Sequence, residues 1–244
     1  MKSRGKFIVL EGIDGVGTTS MTREIRDHFS LHGFAIQSTK EPYSTELEML
    51  LRRFITGEFQ DPGWRPMSLL FTADRLIHCR DLDEVLAGGM SIVSDRYVGS
   101  TAAYQSALAS VEEQEIALNY IMNSLGEGLL LPDLIIYLRG SVDICRDRML
   151  RSRSVEDHYE RIGFQHRVAD MYERWVRREI QRNDDTLIVA VDADRPYGEV
   201  RADCLLAVNM IFGNGCGLGV IEDGANSSAC GYREIDGGKA DCTS

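Results

Sequence analysis

The stretch Gly12-Ile13-Asp14-Gly15-Val16-Gly17-Thr18-Thr19 has the residue types and spacing of a cradle for phosphate. Three glycines open turns closed to residues with a Cβ, so successive backbone N–H groups can converge on one anion. A helix beginning near Thr18 would bring the positive end of its dipole to the same point. Thr19 stands where a hydroxyl could ligate Mg²⁺. The pattern G-x-x-x-x-G-K-[ST] is broken at one place, because Thr18 has a hydroxyl where a lysine would carry charge. Losing one such stabiliser of phosphoryl transfer typically costs on the order of 10²–10³ in rate. Either another cation supplies that charge, or the site holds nucleotide and turns it over slowly. A purely structural strand-to-helix turn is the plainest alternative.

Two further constellations carry chemistry. The apolar run Met90–Ser94 ends in Asp95-Arg96-Tyr97. A carboxylate where a buried strand stops can bind Mg²⁺ directly or through water; it can equally cap a helix or pair with Arg96. Arg96 would reach the crevice at the strand end, where a guanidinium clamps phosphate with two hydrogen bonds. Ser100, Ala103 and Tyr104 follow at helical spacing on one face, Tyr104 being either a ligand contact or core. Upstream, Phe71, Arg75 and His78 fall at i, i+4 and i+7. A ring there can stack on a base while the arginine donates to a carbonyl oxygen. His78 is read as a surface or core histidine outside the site.

The elements that must position these residues alternate in type. Phe7–Glu11, Phe34–Thr39, Met90–Ser94, Leu134–Leu138 and Thr186–Val191 read as buried parallel strands. Helical stretches are expected over Ser20–His32, Thr45–Gly57, Arg65–Leu86, Gly99–Leu125, Val142–Arg153, Asp157–Arg182 and Tyr197–Phe212. In Asp157–Arg182 the residues Tyr159, Ile162, Ala169, Tyr172, Val176 and Ile180 make one apolar face. Alternation of this kind predicts an α/β, three-layer, doubly wound domain on a five-stranded parallel sheet, with ligands at the carboxyl ends of the strands. From Gly213 onward the chain is rich in Gly, Ser and Asn, and this tail is expected to pack weakly or not at all.

The 244 residues suit one such domain, here 1–212. A net charge of −11 argues against non-specific binding of nucleic acid but not against a small anion in a locally basic cleft. No signal peptide or membrane span fits, so no membrane partner and a cytoplasmic location are expected. Cys79, Cys145, Cys204, Cys216, Cys230 and Cys242 are scattered without C-x-x-C or zinc spacing, so reduced thiols and no structural metal are expected.

Taken with Thr39-Lys40-Glu41-Pro42 and Phe71-Thr72-Ala73-Asp74-Arg75-Leu76-Ile77-His78, the run Asp95-Arg96-Tyr97…Ser100-Thr101-Ala102-Ala103-Tyr104-Gln105 resembles the thymidylate kinase family, in the right order over about residues 5–212. The resemblance implies a P-loop kinase fold, ATP-dependent phosphorylation of dTMP to dTDP, Mg²⁺ and a homodimer. It places ATP on Gly12, Ile13, Asp14, Gly15, Val16, Gly17, Thr18 and Thr19, with Mg²⁺ on Thr19 and Asp95. It gives the acceptor's phosphate to Arg96, its sugar hydroxyl to Asp14, and its base to Phe71 and Arg75. Glu41, Ser100, Thr101, Tyr104 and Gln105 complete the acceptor site, Tyr104 against the sugar. A lid over about 141–160 would carry Arg146, Arg148, Arg151 and Arg153, of which Arg148 and Arg153 are the catalytic candidates. Val16, where one subgroup has arginine, suits the subgroup whose lid supplies that arginine. The bland alternative is a solvated helix paired with Glu156, Asp157 and Glu160. Departures from the family are Thr18, Lys40 for arginine, Tyr43-Ser44 for a glycine pair, and Arg139 for aspartate. They leave open an impaired nucleotide-binding protein, or a kinase for another pyrimidine nucleotide.

Overall fold

Strand β1 (Phe7–Glu11) is buried along its whole length because helices cover both faces of the sheet. The computed structural model describes residues 3–124, 128–152, 161–182, 185–212, 232–236 and 239–241. Around β1 the chain lays down β2 (Ile36–Lys40), β3 (Ser91–Asp95), β4 (Leu134–Arg139) and β5 (Leu187–Asp192). The helices are α1 (Thr18–Leu31), α2 (Thr45–Ile55), α3 (Trp64–Ala87), α4 (Val98–Leu108), α5 (Gln114–Ser124), α6 (Val142–Ser152), α7 (Ile162–Gln181) and α8 (Tyr197–Phe212). Strands pair in the order β2-β3-β1-β4-β5, all parallel, which gives the five-stranded core expected from the alternation. Helices α1 and α8 pack together on one face, and α3, α4 and α7 take the other. Strand order reverses at β1, so a crevice opens where β1 and β3 end, as in other doubly wound sheets.

Two expectations are corrected. The stretch Gly99–Leu125 is not one helix. Ala109 is extended, and the chain turns through 110–113 before α5 begins. The reason was legible: Ser110-Val111-Glu112-Glu113 has the S-x-x-E spacing of a capping box. The Glu113 amide bonds the Ser110 carbonyl at 2.9 Å, and the Ser110 hydroxyl donates to Glu113 Oε2 at 3.2 Å. The tail is also not wholly unpaired. Strands β6 (Tyr232–Asp236), parallel to β5, and β7 (Lys239–Asp241), antiparallel to β6, extend the sheet to seven. Beyond β4 the strand β5 presents an open edge of backbone N–H and C=O groups, and β6 satisfies it. Of the expected Asp157–Arg182 helix, residues 157–160 lie outside the described residues, and α7 runs on from Ile162.

Helix α7 buries Phe164, Val168, Met171, Tyr172, Trp175 and Val176 at spacings of three and four. It meets α4 where Gly99 lies; a Cβ there would stand 2.5 Å from the Trp175 ring. The small residues Ala102, Ala103 and Ala107 keep α4 close to its neighbours, which sets the depth of the crevice.

Candidate active site

The loop from β1 to α1 is shaped by its glycines. Gly15 and Gly17 hold φ of 79° and 110°, in the left-handed region. A Cβ on Gly15 would stand 2.4 Å from the Cys145 carbonyl oxygen of α6, so the loop rests directly on that helix. Gly17 caps α1 with no side-chain hydrogen bond, leaving the first-turn N–H groups to whatever anion enters. Ile13 and Val16 turn into the core, and the Gly12 carbonyl accepts from Arg96 Nη1 at 2.7 Å. Asp14, Gly15, Gly17, Thr18 and Thr19 line a cavity of about 770 Å³, whereas Gly12, Ile13 and Val16 do not.

At the end of β3, the Thr19 hydroxyl donates to Asp95 Oδ2 at 2.5 Å. Oδ1 of the same carboxylate is buried with no hydrogen-bond partner. Tyr97, not Asp95, occupies the N-cap of α4, and Asp95 makes no ion pair with Arg96, so neither bland reading of Asp95 describes it. Arg96 has φ of 73°, the one non-glycine residue in the left-handed region among the described residues. That backbone is unfavourable for a long side chain, and such strain gathers at functional sites. It turns the guanidinium into the crevice, where Nη2 donates to Asp14 Oδ1 at 2.6 Å and Nη1 also to the Ser100 and Tyr172 hydroxyls. The Tyr104 ring lies 5.2 Å below.

Beneath Arg96 sits Glu11, fully buried. Its carboxylate accepts from the Tyr97 amide at 2.8 Å, the Ser100 hydroxyl at 2.7 Å and the Tyr172 hydroxyl at 3.0 Å. Burial pushes this carboxyl above the usual glutamate value, outweighing the Ser100 hydrogen bond, the Arg96 charge and the Tyr172 hydrogen bond. Burial likewise holds the Tyr104 and Tyr172 phenols above the usual tyrosine value, so both remain protonated.

The far wall is a buried ion-pair network. Arg75 Nε donates to Glu41 Oε2 at 2.8 Å, and Nη2 donates to the Tyr97 carbonyl and the Thr101 hydroxyl, each at 2.9 Å. Arg75 Nη1 and Gln105 Nε2 are buried donors without a partner, and both residues line the cavity with Phe71. Two polar donors beside a ring are what a planar base with exocyclic oxygens needs.

Thus the structure brings Asp14, Gly15, Gly17, Thr18, Thr19, Glu41, Phe71, Arg75, Arg96, Ser100, Thr101, Tyr104, Gln105 and Arg148 to one cavity, with Asp95 joined to it through Thr19. Arg148 Nη2 donates to the Ala193 carbonyl at 3.0 Å. Arg153 lies outside the described residues, as do Glu156, Asp157 and Glu160.

Four residues of this site went unread in the sequence. Glu11 had a signal, an acid closing an otherwise apolar strand. His78 was set aside, yet it is buried with Nδ1 3.0 Å from Glu41 Oε1 and Nε2 2.8 Å from the Thr39 hydroxyl. Tyr172 looked like part of an apolar face. Gln165, whose Nε2 donates to Asp14 Oδ2 at 2.9 Å, comes from 151 residues away and left no local trace.

The comparisons with known proteins converge on one family. The thymidylate kinase family model matches residues 10–204. A probable thymidylate kinase from Staphylothermus marinus is 35% identical over 206 residues, covering 83% of this chain and 94% of the relative. The thymidylate kinase of a Synechococcus strain is 34% identical over 192 residues, covering 75% and 88%. In fold, the chain is similar to the solved thymidylate kinase of Candida albicans, with a TM-score of 0.72 at 21% identity over 87% of this chain and 94% of that one.

Proposed function

The chain belongs to the thymidylate kinase family, and on that premise we propose how its own residues carry out the reaction. The protein is a nucleoside monophosphate kinase that transfers the terminal phosphoryl group of ATP to dTMP, giving dTDP and ADP. The observation that carries the assignment of roles is the pair of unpartnered buried donors, Arg75 Nη1 and Gln105 Nε2, on two residues that line the cavity together with Phe71. Thymine stacks on Phe71 and offers a ring carbonyl oxygen to those donors.

The acceptor's sugar lies over Tyr104, within reach of Asp14, which Gln165 and Arg96 hold in place. Arg96 meets the acceptor's phosphate, its unfavourable backbone maintained by the bonds to Asp14, Gly12, Ser100 and Tyr172. The ATP phosphates occupy the glycine loop and the open N-terminus of α1. Arg148, from α6, lines the same cavity as the loop and would reach them from there; of the expected lid over about 141–160, residues 153–160 lie outside the described residues. Most of the rate then comes from holding donor and acceptor oxygens in line within a polar, preorganised cleft.

A magnesium ion fits these residues: a buried carboxylate oxygen without a partner stands beside a hydroxyl, at Asp95 and Thr19. Asp95 and Thr19 would hold it, and bound there it would supply charge neutralisation for the donor phosphates. Leu69, Leu76 and Ile77 make an exposed apolar stripe on α3, which supports a homodimer. The described cysteines, Cys79, Cys145 and Cys204, are free and buried, which supports a reducing, cytoplasmic setting. Among the described residues no helix is long and apolar enough to cross a membrane.

A coupled assay of ADP release across dTMP, dUMP, dCMP, dGMP and dAMP, with and without Mg²⁺, tests the reading. Turnover is expected to be fastest with dTMP and to need Mg²⁺; no release of ADP with any acceptor would end it.

A further inference from the structure

Four arginines line the cavity, and three are already committed. Arg75 is paired with Glu41, Arg96 with Asp14, and Arg148 donates to the Ala193 carbonyl. The fourth, Arg23, is exposed on α1 and has neither a carboxylate nor a carbonyl partner among the described residues. It stands four residues after Thr19, on the same helix face. Helical side chains lean back toward the N-terminus, so the Arg23 guanidinium reaches toward the first turn of α1, where the glycine loop delivers phosphate.

We propose that Arg23 supplies the positive charge that Thr18 withholds, by binding the phosphoryl oxygens at the mouth of the glycine loop. The proposal rests on the assignment of ATP to that loop. The two positions are not equivalent. At about 100° per residue, Arg23 lies roughly 140° round the helix from Thr18 and only about 40° from Thr19. A lysine at Thr18 would rise over the loop, whereas Arg23 approaches along the Thr19–Asp95 side. It therefore meets the oxygens that face Asp95 and Arg96, which belong to the phosphoryl group in transit and its neighbours. With no ion pair among the described residues, Arg23 gives up none on engaging these oxygens, and its planar fork suits two phosphate oxygens at once.

The experiment compares wild type with Arg23→Gln, Arg23→Lys, Thr18→Lys and Thr18→Lys/Arg23→Gln, in steady-state phosphoryl transfer and in calorimetric binding of Mg²⁺ with a non-hydrolysable ATP analogue. Arg23→Gln is expected to lower kcat by about 10²-fold, the usual loss for one preorganised stabiliser, with an unchanged unfolding midpoint. Arg23→Lys should keep activity within about tenfold of wild type, since charge is retained and the fork lost. Thr18→Lys in the Arg23→Gln background should recover at least about tenfold, because either cation serves the same phosphates. An Arg23→Gln enzyme within about twofold of wild type in both kcat and analogue affinity overturns the proposal, as does a loss that Thr18→Lys leaves uncorrected. Should the wild type transfer no phosphoryl group, the functional reading fails separately and the calorimetry decides: weaker analogue binding by Arg23→Gln supports the role, and equal binding overturns it.

Discussion

In the proposed reading the cavity has an acceptor end and a donor end, and the two are built on opposite principles. At the acceptor end the charges are neutralised inside the protein: Arg75 is buried against Glu41, and Glu41 also faces His78. At the donor end the glycine loop has no capping side chain, and among the described residues Arg148 donates to a backbone carbonyl and Arg23 has no partner. The first end is finished before substrate arrives; the second is left open, and in the proposed reading ATP and Mg²⁺ would complete it. A pocket that must choose one base gains from rigidity, because a buried donor left unpaired by the wrong base is costly. A site for a flexible triphosphate gains from open electrostatics.

If that contrast holds, substitutions at the acceptor end should damage the fold as well as the reaction, while those at the donor end should damage the reaction alone. The largest effect is expected for Arg75→Ala. It strands the Glu41 carboxylate in the core, which should lower unfolding free energy by about 3–5 kcal/mol in a urea titration. An effect below about 1 kcal/mol would show that the acceptor end is not prebuilt. Next comes Asp95→Asn, which keeps a partner for the Thr19 hydroxyl but removes the charge for Mg²⁺. Its kcat should fall by about 10²–10³-fold, and the Mg²⁺ concentration for half-maximal rate should rise, with the thermal midpoint little moved. Arg148→Ala should cost about tenfold in kcat/KM for ATP and less than about 0.5 kcal/mol in stability, the value typical of surface positions.

The subtlest test concerns pH. Glu11 titrates above its ordinary value of 4.5 in the folded chain. A carboxyl whose folded value is raised holds a proton that the unfolded chain releases. Its contribution to stability is full below the ordinary value and is lost as pH climbs through the raised one. In Glu11→Gln that decline should vanish, so the stability profile above pH 4.5 becomes flatter than in wild type, as read from urea midpoints across pH. An unchanged profile would mean that Glu11 is not the group responsible.

The same contrast governs what could be read from sequence. The donor end lies on consecutive residues, and its glycine spacing announced the turn, the helix start and Thr19. The core strands were legible because burial on both faces leaves continuous apolar runs, as in Phe7–Glu11. The acceptor end is assembled from four separate segments. Arg75 was found through its helical spacing from Phe71, and Thr101 and Gln105 through a resemblance, while the bonds by which Gln165 and His78 hold Asp14 and Glu41 were not foreseen. Their roles depend on tertiary proximity, and a polar residue on a helix face looks the same with or without it. The α4–α5 break was missed because a continuous helical reading across Ser110 ignored local capping chemistry.

The seat of Gly15 against the Cys145 carbonyl ties two parts that the chain keeps far apart. Tightening of the loop there has no slack to absorb, so the displacement is handed to α6, the helix that carries Arg148. Occupancy of the loop is thereby coupled to the position of Arg148, and Gly15→Ala should push α6 aside even though the loop would lose no polar group.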